Sequence, residues 1–224
     1  VRDEVEYALD MLGLDGITLL TNYRGAYLGD DAFDPLFAEV DRRGTPVFIH
    51  PSTPAGQELP TFGYPVGFYE FLFDTTRTVA HLLYGGTLSR YPGLCLILPH
   101  AGGTVPFLAG RLAMVAGVLP QIRERAPADI VAALRGLYYD TAMAATPYAV
   151  PSLRALADPA HILFGSDWPF VSEPIVAATV AGLADYPGLA PQERGAIARE
   201  NAMQLFPHLR GRLAAAGALR HRQS

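Results

Sequence analysis

Lysine is absent from this chain, and all 17 basic residues are arginine. Schiff-base catalysis and a carbamylated-lysine metal bridge are therefore excluded within these 224 residues, because both need an ε-amino group. Cysteine is almost absent as well. The single Cys95 rules out an intrachain disulfide and a thiolate-rich zinc site. It lies in an apolar run, where a buried and inert thiol is expected. Charge is sparse, at 17% of residues, with a formal net charge of -5 and scattered arginines. That pattern excludes a phosphate-tracking surface, so no nucleic-acid partner is expected. No apolar run approaches the roughly 20 residues of a membrane span. The charged opening Val1-Arg-Asp-Glu is unlike a signal peptide. No membrane partner is expected, and the cytoplasm is the expected compartment.

What is present is apolar and periodic. Half of the residues are hydrophobic, enough for one sizeable core. Helical spacing of Val5, Ala8, Leu9 and Leu12 predicts a first helix ending at Gly13. Short β-rich runs follow at 16–21, 45–49, 94–98, 137–141 and 162–167. Between them the pattern predicts helices at 34–43 (Asp34 as N-cap, Pro35 at N1, a stop at Gly44), 74–90, 104–118, 127–134 and 146–156. Two more helices are expected at about 173–184 and 191–206. Residues 51–68, rich in Pro, Gly and Thr, read as a long loop of the kind that forms a lid or a substrate wall.

This alternation predicts an α/β fold with a parallel sheet and outer helices. No Gly-rich phosphate loop follows any strand, which counts against a nucleotide-binding open sheet. Five strands are expected, where a (β/α)8 barrel of the TIM type needs eight. The chain opens inside a helix and without Met, so it is expected to be the C-terminal portion of such a barrel, the first strands lying upstream. Residues 1–210 are expected to form the barrel portion and 211–224 an Arg/Ala-rich tail.

Three of the runs end in residues that can hold a metal and are then broken by Pro or Gly: Val47-Phe-Ile-His50-Pro51, Leu94-Cys-Leu-Ile-Leu-Pro-His100 before Ala101-Gly102-Gly103, and Ile162-Leu-Phe-Gly-Ser-Asp167-Trp-Pro169. Catalytic residues of parallel β/α barrels sit where strands end, at one face. His50, His100 and Asp167 are thus expected to meet in one site. Imidazole and carboxylate suit zinc, manganese or iron. Asp140 ends a further strand and is a candidate for orienting a ligand; Asn22, Tyr23 and Arg24 are weaker candidates. Trp168 and Phe170, with Phe68, Tyr69, Phe71 and Phe73, supply an aromatic wall or ordinary packing. His81, His161, His208 and His221 read as structural.

The stretches VFIHP (47–51), SRYPGL through PHAGGTVPFLAGRL (89–112), YYDTA (138–142), LFGSDWPF (163–170) and RENAMQLF (199–206) carry a resemblance. The chain resembles the metal-dependent amidohydrolase superfamily, in the branch named for aminocarboxymuconate-semialdehyde decarboxylase. Within it, FDTTRTVAHLLYGG followed by LPHAGGTVPFLAGR looks most like the salicylate-type aromatic acid decarboxylases. The resemblance implies that His50 is a metal ligand and Asp167 a ligand and proton carrier. It implies that His100, in the HxGG motif, stands beside metal-bound water or substrate, and that Arg111 meets a substrate carboxylate, in some members across a homodimer interface. The family's His-x-His pair has no counterpart in this sequence.

A divalent cofactor, Zn or Mn, and a small carboxylic acid substrate are accordingly expected. The expected reaction is non-oxidative decarboxylation of a hydroxylated aromatic or muconate-like acid, with His100 and Asp167 as catalytic groups and Arg111, Trp168 and Asp140 touching substrate. The alternatives are metal-assisted hydrolysis of a lactone, amide or ester, or an inactive fragment of such an enzyme.

Overall fold

A computed structural model describes residues 2–54 and 61–213. Its strands are β1 (Ile17–Leu20), β2 (Asn22–Tyr23), β3 (Ala26–Tyr27), β4 (Pro46–His50), β5 (Cys95–Leu98), β6 (Tyr138–Asp140) and β7 (Ile162–Leu163). The helices are α1 (Arg2–Glu6), α2 (Asp34–Arg43), α3 (Glu70–Tyr84), α4 (Thr87–Arg90), α5 (Val105–Val118), α6 (Pro120–Arg123), α7 (Ile130–Arg135), α8 (Val150–Leu156), α9 (Glu173–Asp185), α10 (Pro191–Gly195) and α11 (Asn201–Leu205). Five strands form one sheet in the order β1-β4-β5-β6-β7, and every neighbouring pair is parallel. β2 and β3 make a small antiparallel hairpin directly after β1.

Four of the five sheet strands lie close to where the apolar runs predict them; β7 stops at Leu163, so Asp167, expected at the strand end, lies four residues beyond it. Among the described residues the sheet is open, with β1 and β7 at its edges. The expected tail lies mostly outside the described residues, as do residues 55–60 of the long loop.

Strand parity decides what faces the site, because alternate side chains leave a strand on opposite faces. Val47 and Ile49 are fully buried and join Val79, Leu82, Leu83, Leu96 and Leu98 in the core. Phe48 and His50 emerge on the opposite face, where β4 stands beside Thr18 and Leu20 of β1.

Several element boundaries depart from the sequence reading: the helices expected at 127–134 and 146–156 begin at Ile130 and Val150, and the one expected at 191–206 divides into α10, a π-helical turn and α11. The expected helix at 74–90 begins earlier, at Glu70, and divides into α3 and α4 at Gly85-Gly86, where Gly86 takes a left-handed φ of 82°. The helix at 34–43 is capped differently. A 3-10 turn at Asp31–Phe33 precedes it, capped by Asp30, whose carboxylate accepts from the Ala32 N–H at 2.9 Å. Asp34 instead receives an Arg90 hydrogen bond at 2.7 Å. Finally, the apolar segment His100–Val118 is 19 residues long, enough by length and composition to cross a membrane. Left-handed residues at 100–103 interrupt it, and the regular helix α5 has 14 residues. Such a helix is about 21 Å long, against a hydrocarbon core of about 30 Å.

Candidate active site

All three strand-end residues converge at the C-terminal edge of the sheet. His50 is the last residue of β4; its Nδ1–H donates to the carbonyl of Pro51 at 2.8 Å. That bond fixes the tautomer and leaves the Nε2 lone pair facing the site. His50 Nε2 lies 3.8 Å from Asp167 Oδ1, and His100 Nε2 lies 3.5 Å from Asp167 Oδ2. One carboxylate therefore stands between two imidazoles whose ring centroids are 6.4 Å apart.

Two of these residues have unusual backbones. His100 has φ 54° and Asp167 φ 59°, in the left-handed region that disfavours non-glycine residues. Each such residue costs about 1–3 kcal/mol and persists where its surroundings over-determine it. For His100 the surroundings are visible: its backbone N–H donates to Asp140 Oδ1 at 2.7 Å, and the same oxygen accepts from the Ala142 N–H at 3.0 Å. Asp140 is buried, and burial pushes its carboxyl above the usual range against the opposing pull of His100. Gly165 is a close-approach position, since a Cβ there would sit 2.6 Å from Asp140 Oδ2.

These groups border a cleft of about 410 Å³. Its polar lining is His50, His100, Asp140, Ser166 and Asp167, and the rest is apolar, including Phe48, Phe164, Trp168, Phe170 and Phe206. The His50 ring has the Phe170 ring at 5.7 Å and the Phe71 ring edge-on at 6.3 Å. Trp168 is thus at the cleft, and Asp140 supports its floor. Arg111 is elsewhere: it projects to solvent from α5 and does not line the cleft. Asn22 is buried against the loop after His50, donating to Ser52 Oγ at 2.9 Å. His161 stacks on Tyr138 at 4.0 Å, at the opposite, N-terminal end of β7.

Two ligands each about 2.0–2.2 Å from a tetrahedral ion stand roughly 3.4 Å apart. The imidazole and carboxylate atoms here have comparable separations of 3.5 and 3.8 Å. His50 Nε2 and Asp167 fit as two donors of such an ion. Among the described residues no group of three His, Cys, Asp or Glu is arranged to hold one.

The sequence reading missed a polar network beside the site. Asp74, fully buried on α3, accepts from Thr21 Oγ1, from Tyr27 OH at 2.5 Å and from the Ser52 N–H at 3.2 Å. The available signal was the placement of Asp74, Thr75 and Thr78 on the same helical face as Val79 and Leu82. A carboxylate at a core-facing position needs partners.

Residues 1–208 match the family model described as Amidohydrolase. The chain is 37% identical over 213 residues to a 6-methylsalicylic acid decarboxylase of Penicillium expansum, covering 94% of this chain and 65% of the relative. Among solved structures, an amidohydrolase II superimposes with a TM-score of 0.84 at 30% identity, covering 92% of this chain and 65% of that one. The 5-carboxyvanillate decarboxylase of Novosphingobium aromaticivorans, solved with manganese and 4-hydroxy-3-methoxy-5-nitrobenzoic acid, has a TM-score of 0.80 at 22% identity, covering 92% and 60%. At that identity the likeness shows the fold, a parallel α/β barrel architecture of which this sheet forms five strands. The chain spans about 65% of the length of the curated relatives it matches. With the family model running from Val1 to residue 208, the chain belongs to the amidohydrolase family.

Proposed function

We propose that the protein carrying this chain is a metal-dependent, non-oxidative decarboxylase of a small hydroxylated aromatic acid of the salicylate type. The observation that carries this reading is the placement of Asp167 between two imidazoles, 3.5 and 3.8 Å away, at an otherwise apolar and aromatic cleft. The similarity to a 6-methylsalicylic acid decarboxylase directs it toward aromatic acids.

His50 Nε2 and the Asp167 carboxylate would hold the metal together with donors beyond the described residues of this chain. Zinc or manganese suits imidazole and carboxylate donors. When bound, it supplies Lewis acidity toward the substrate carboxylate and its neighbouring phenolic oxygen. His100 or Asp167 delivers a proton to the ring carbon that bears the carboxylate, which suspends aromaticity. The bond to the carboxylate carbon then breaks, its electron pair returns to the ring, and CO2 leaves; a proton has replaced CO2. Trp168, Phe170 and Phe48 line the cleft as the apolar wall against the ring. Asp140 holds the His100 backbone in place.

Arg111 enters this reading through a second copy of the chain. It stands exposed on α5 among the exposed Phe107, Met114 and Val118, a surface suited to a homodimer in which the guanidinium fork meets a carboxylate bound by the partner. Sedimentation of the full-length protein measures this directly, and a monomer would remove Arg111 from the substrate site.

The deciding experiment is CO2 release by the gene product that carries this chain, supplied with Zn or Mn, from a panel of hydroxybenzoates that includes 6-methylsalicylate. Lactone ring opening is measured in parallel. CO2 release from the panel is the expected result; its absence beside lactone hydrolysis would replace decarboxylation with hydrolysis.

A further inference from the structure

We propose that Asp74 and Thr76, two positions apart on α3, are positioning residues that set the distance and angle between the His50 and His100 rings. This inference rests on the catalytic reading above for its activity readout but not for its structural one.

Less than two turns of α3 touch both histidine loops. On the His50 side, Asp74 Oδ2 accepts from the N–H of Ser52, two residues after His50. Thr21 completes the clamp. Its hydroxyl donates to Asp74 and accepts from the Ser52 N–H at 3.0 Å, while its own backbone N–H donates to the His50 carbonyl at 3.0 Å. Phe71, one turn earlier, sets its ring edge-on to His50 at 6.3 Å.

On the His100 side, Thr76 Oγ1 accepts from the Thr104 N–H at 3.0 Å and pairs with Thr104 Oγ1 at 2.8 Å. The glycine between these anchors presses on the same helix. A Cβ on Gly103, whose φ is 64°, would stand 2.3 Å from the Leu72 carbonyl oxygen. The His100–Gly103 turn therefore rests on α3 with no room for a side chain.

α3 is thus a rigid spacer with one loop pinned at Asp74 and the other at Thr76. β4 and β5 are adjacent in the sheet, but their register ends at Phe48 opposite Ile97, before either histidine. Beyond that point ladder bonds between β4 and β5 no longer control the spacing of the loops; α3 bridges them, alongside the β1 ladder on His50 and Asp140 on the His100 backbone. A misplacement of about 1 Å in such a site can lower turnover by roughly 100-fold.

The test uses the full-length gene product with divalent metal. Asp74→Asn keeps the shape but turns one acceptor into a donor. Thr76→Val removes the hydroxyl, and Thr76→Ser restores it. The expected result is a kcat at least about tenfold lower in D74N and T76V, KM within about threefold, a folded protein by circular dichroism, and recovery in T76S. Crystal structures of the variants should show the ring centroids moved from their 6.4 Å separation or 67° angle. Turnover within about twofold of the parent in both variants would overturn the proposal, as would T76S as impaired as T76V. If D74N does not fold, the T76V and T76S pair decides by the same criteria. If the parent releases no CO2 from the panel, the catalytic reading fails, and the crystal structures alone decide: rings unmoved in T76V overturn the inference, and rings displaced support it.

Discussion

Asp140 Oδ1 accepts the backbone N–H of His100 at 2.7 Å, although the two residues are 40 positions apart in the chain. The bond joins the end of β6 to the turn after β5 and secures a left-handed residue at the site. The same oxygen also serves Ala142. Replacing Asp140 by Ala strands both N–H groups, each at a cost of about 1–3 kcal/mol. Urea unfolding should show that loss for D140A and a much smaller one for D140N, which keeps an acceptor.

Gly165→Ala should act on the site through Asp140 alone. The added Cβ would lie 2.6 Å from Asp140 Oδ2, and Gly165 is not in the left-handed region. The carboxylate must move, and the His100 turn with it. Turnover of the full-length protein should fall at least about tenfold while KM changes little. An unchanged kcat would show that His100 tolerates a displaced Asp140.

Asp167→Asn removes a proton carrier and weakens a metal donor while keeping the shape. Proposed here as both, Asp167 should on substitution lower kcat by roughly 10²–10⁴-fold. Metal content measured by elemental analysis should fall in parallel. Full turnover in D167N would assign proton delivery to His100.

Cys95 should be a poor nucleophile. Burial pushes its thiol up to about 11, and a raised acid pKa means less thiolate at any given pH. At pH 8 the thiolate fraction is about a hundredfold or more below that of an exposed cysteine. Alkylation by iodoacetamide should be correspondingly slow in the native protein, accelerate on unfolding, and rise with pH through pH 10. Cys95 is half-buried at the start of β5, and rapid labelling at pH 8 would contradict that partial burial.

The 224-residue polypeptide by itself should self-associate. β1 and β7 present sheet edges among the described residues, and Leu20 on β1 is 41% exposed. Unpaired parallel edges with apolar side chains recruit further strands. Sedimentation of the isolated chain should show oligomers or aggregate, and a stable monomer at tens of micromolar would contradict this expectation.

Much of the fold was legible because strand and helix signals are local. Apolar runs such as Val47-Phe-Ile and Leu96-Ile-Leu, closed by Pro or Gly, marked β4 and β5 and placed His50 and His100 at their ends. The α2 stop at Gly44 was equally local. The division of α3 from α4 was not. It falls at Gly85-Gly86, where a Cβ on Gly85 would lie 2.8 Å from the Gly29 carbonyl oxygen and where Gly86 takes a left-handed φ of 82°. Asp74 was hidden for a similar reason: its partners Thr21, Tyr27 and Ser52 come from three other segments.

By itself the sequence determined the order of the strands, the residue types at their ends and the exclusion of lysine and thiolate chemistry, since each follows from composition or short-range periodicity. Tertiary structure alone decided that Asp167 stands between His50 and His100, that both His100 and Asp167 adopt left-handed backbones, and that Arg111 is exposed and does not line the cleft. These depend on which strands lie side by side and on hydrogen bonds across tens of residues, which no local pattern encodes.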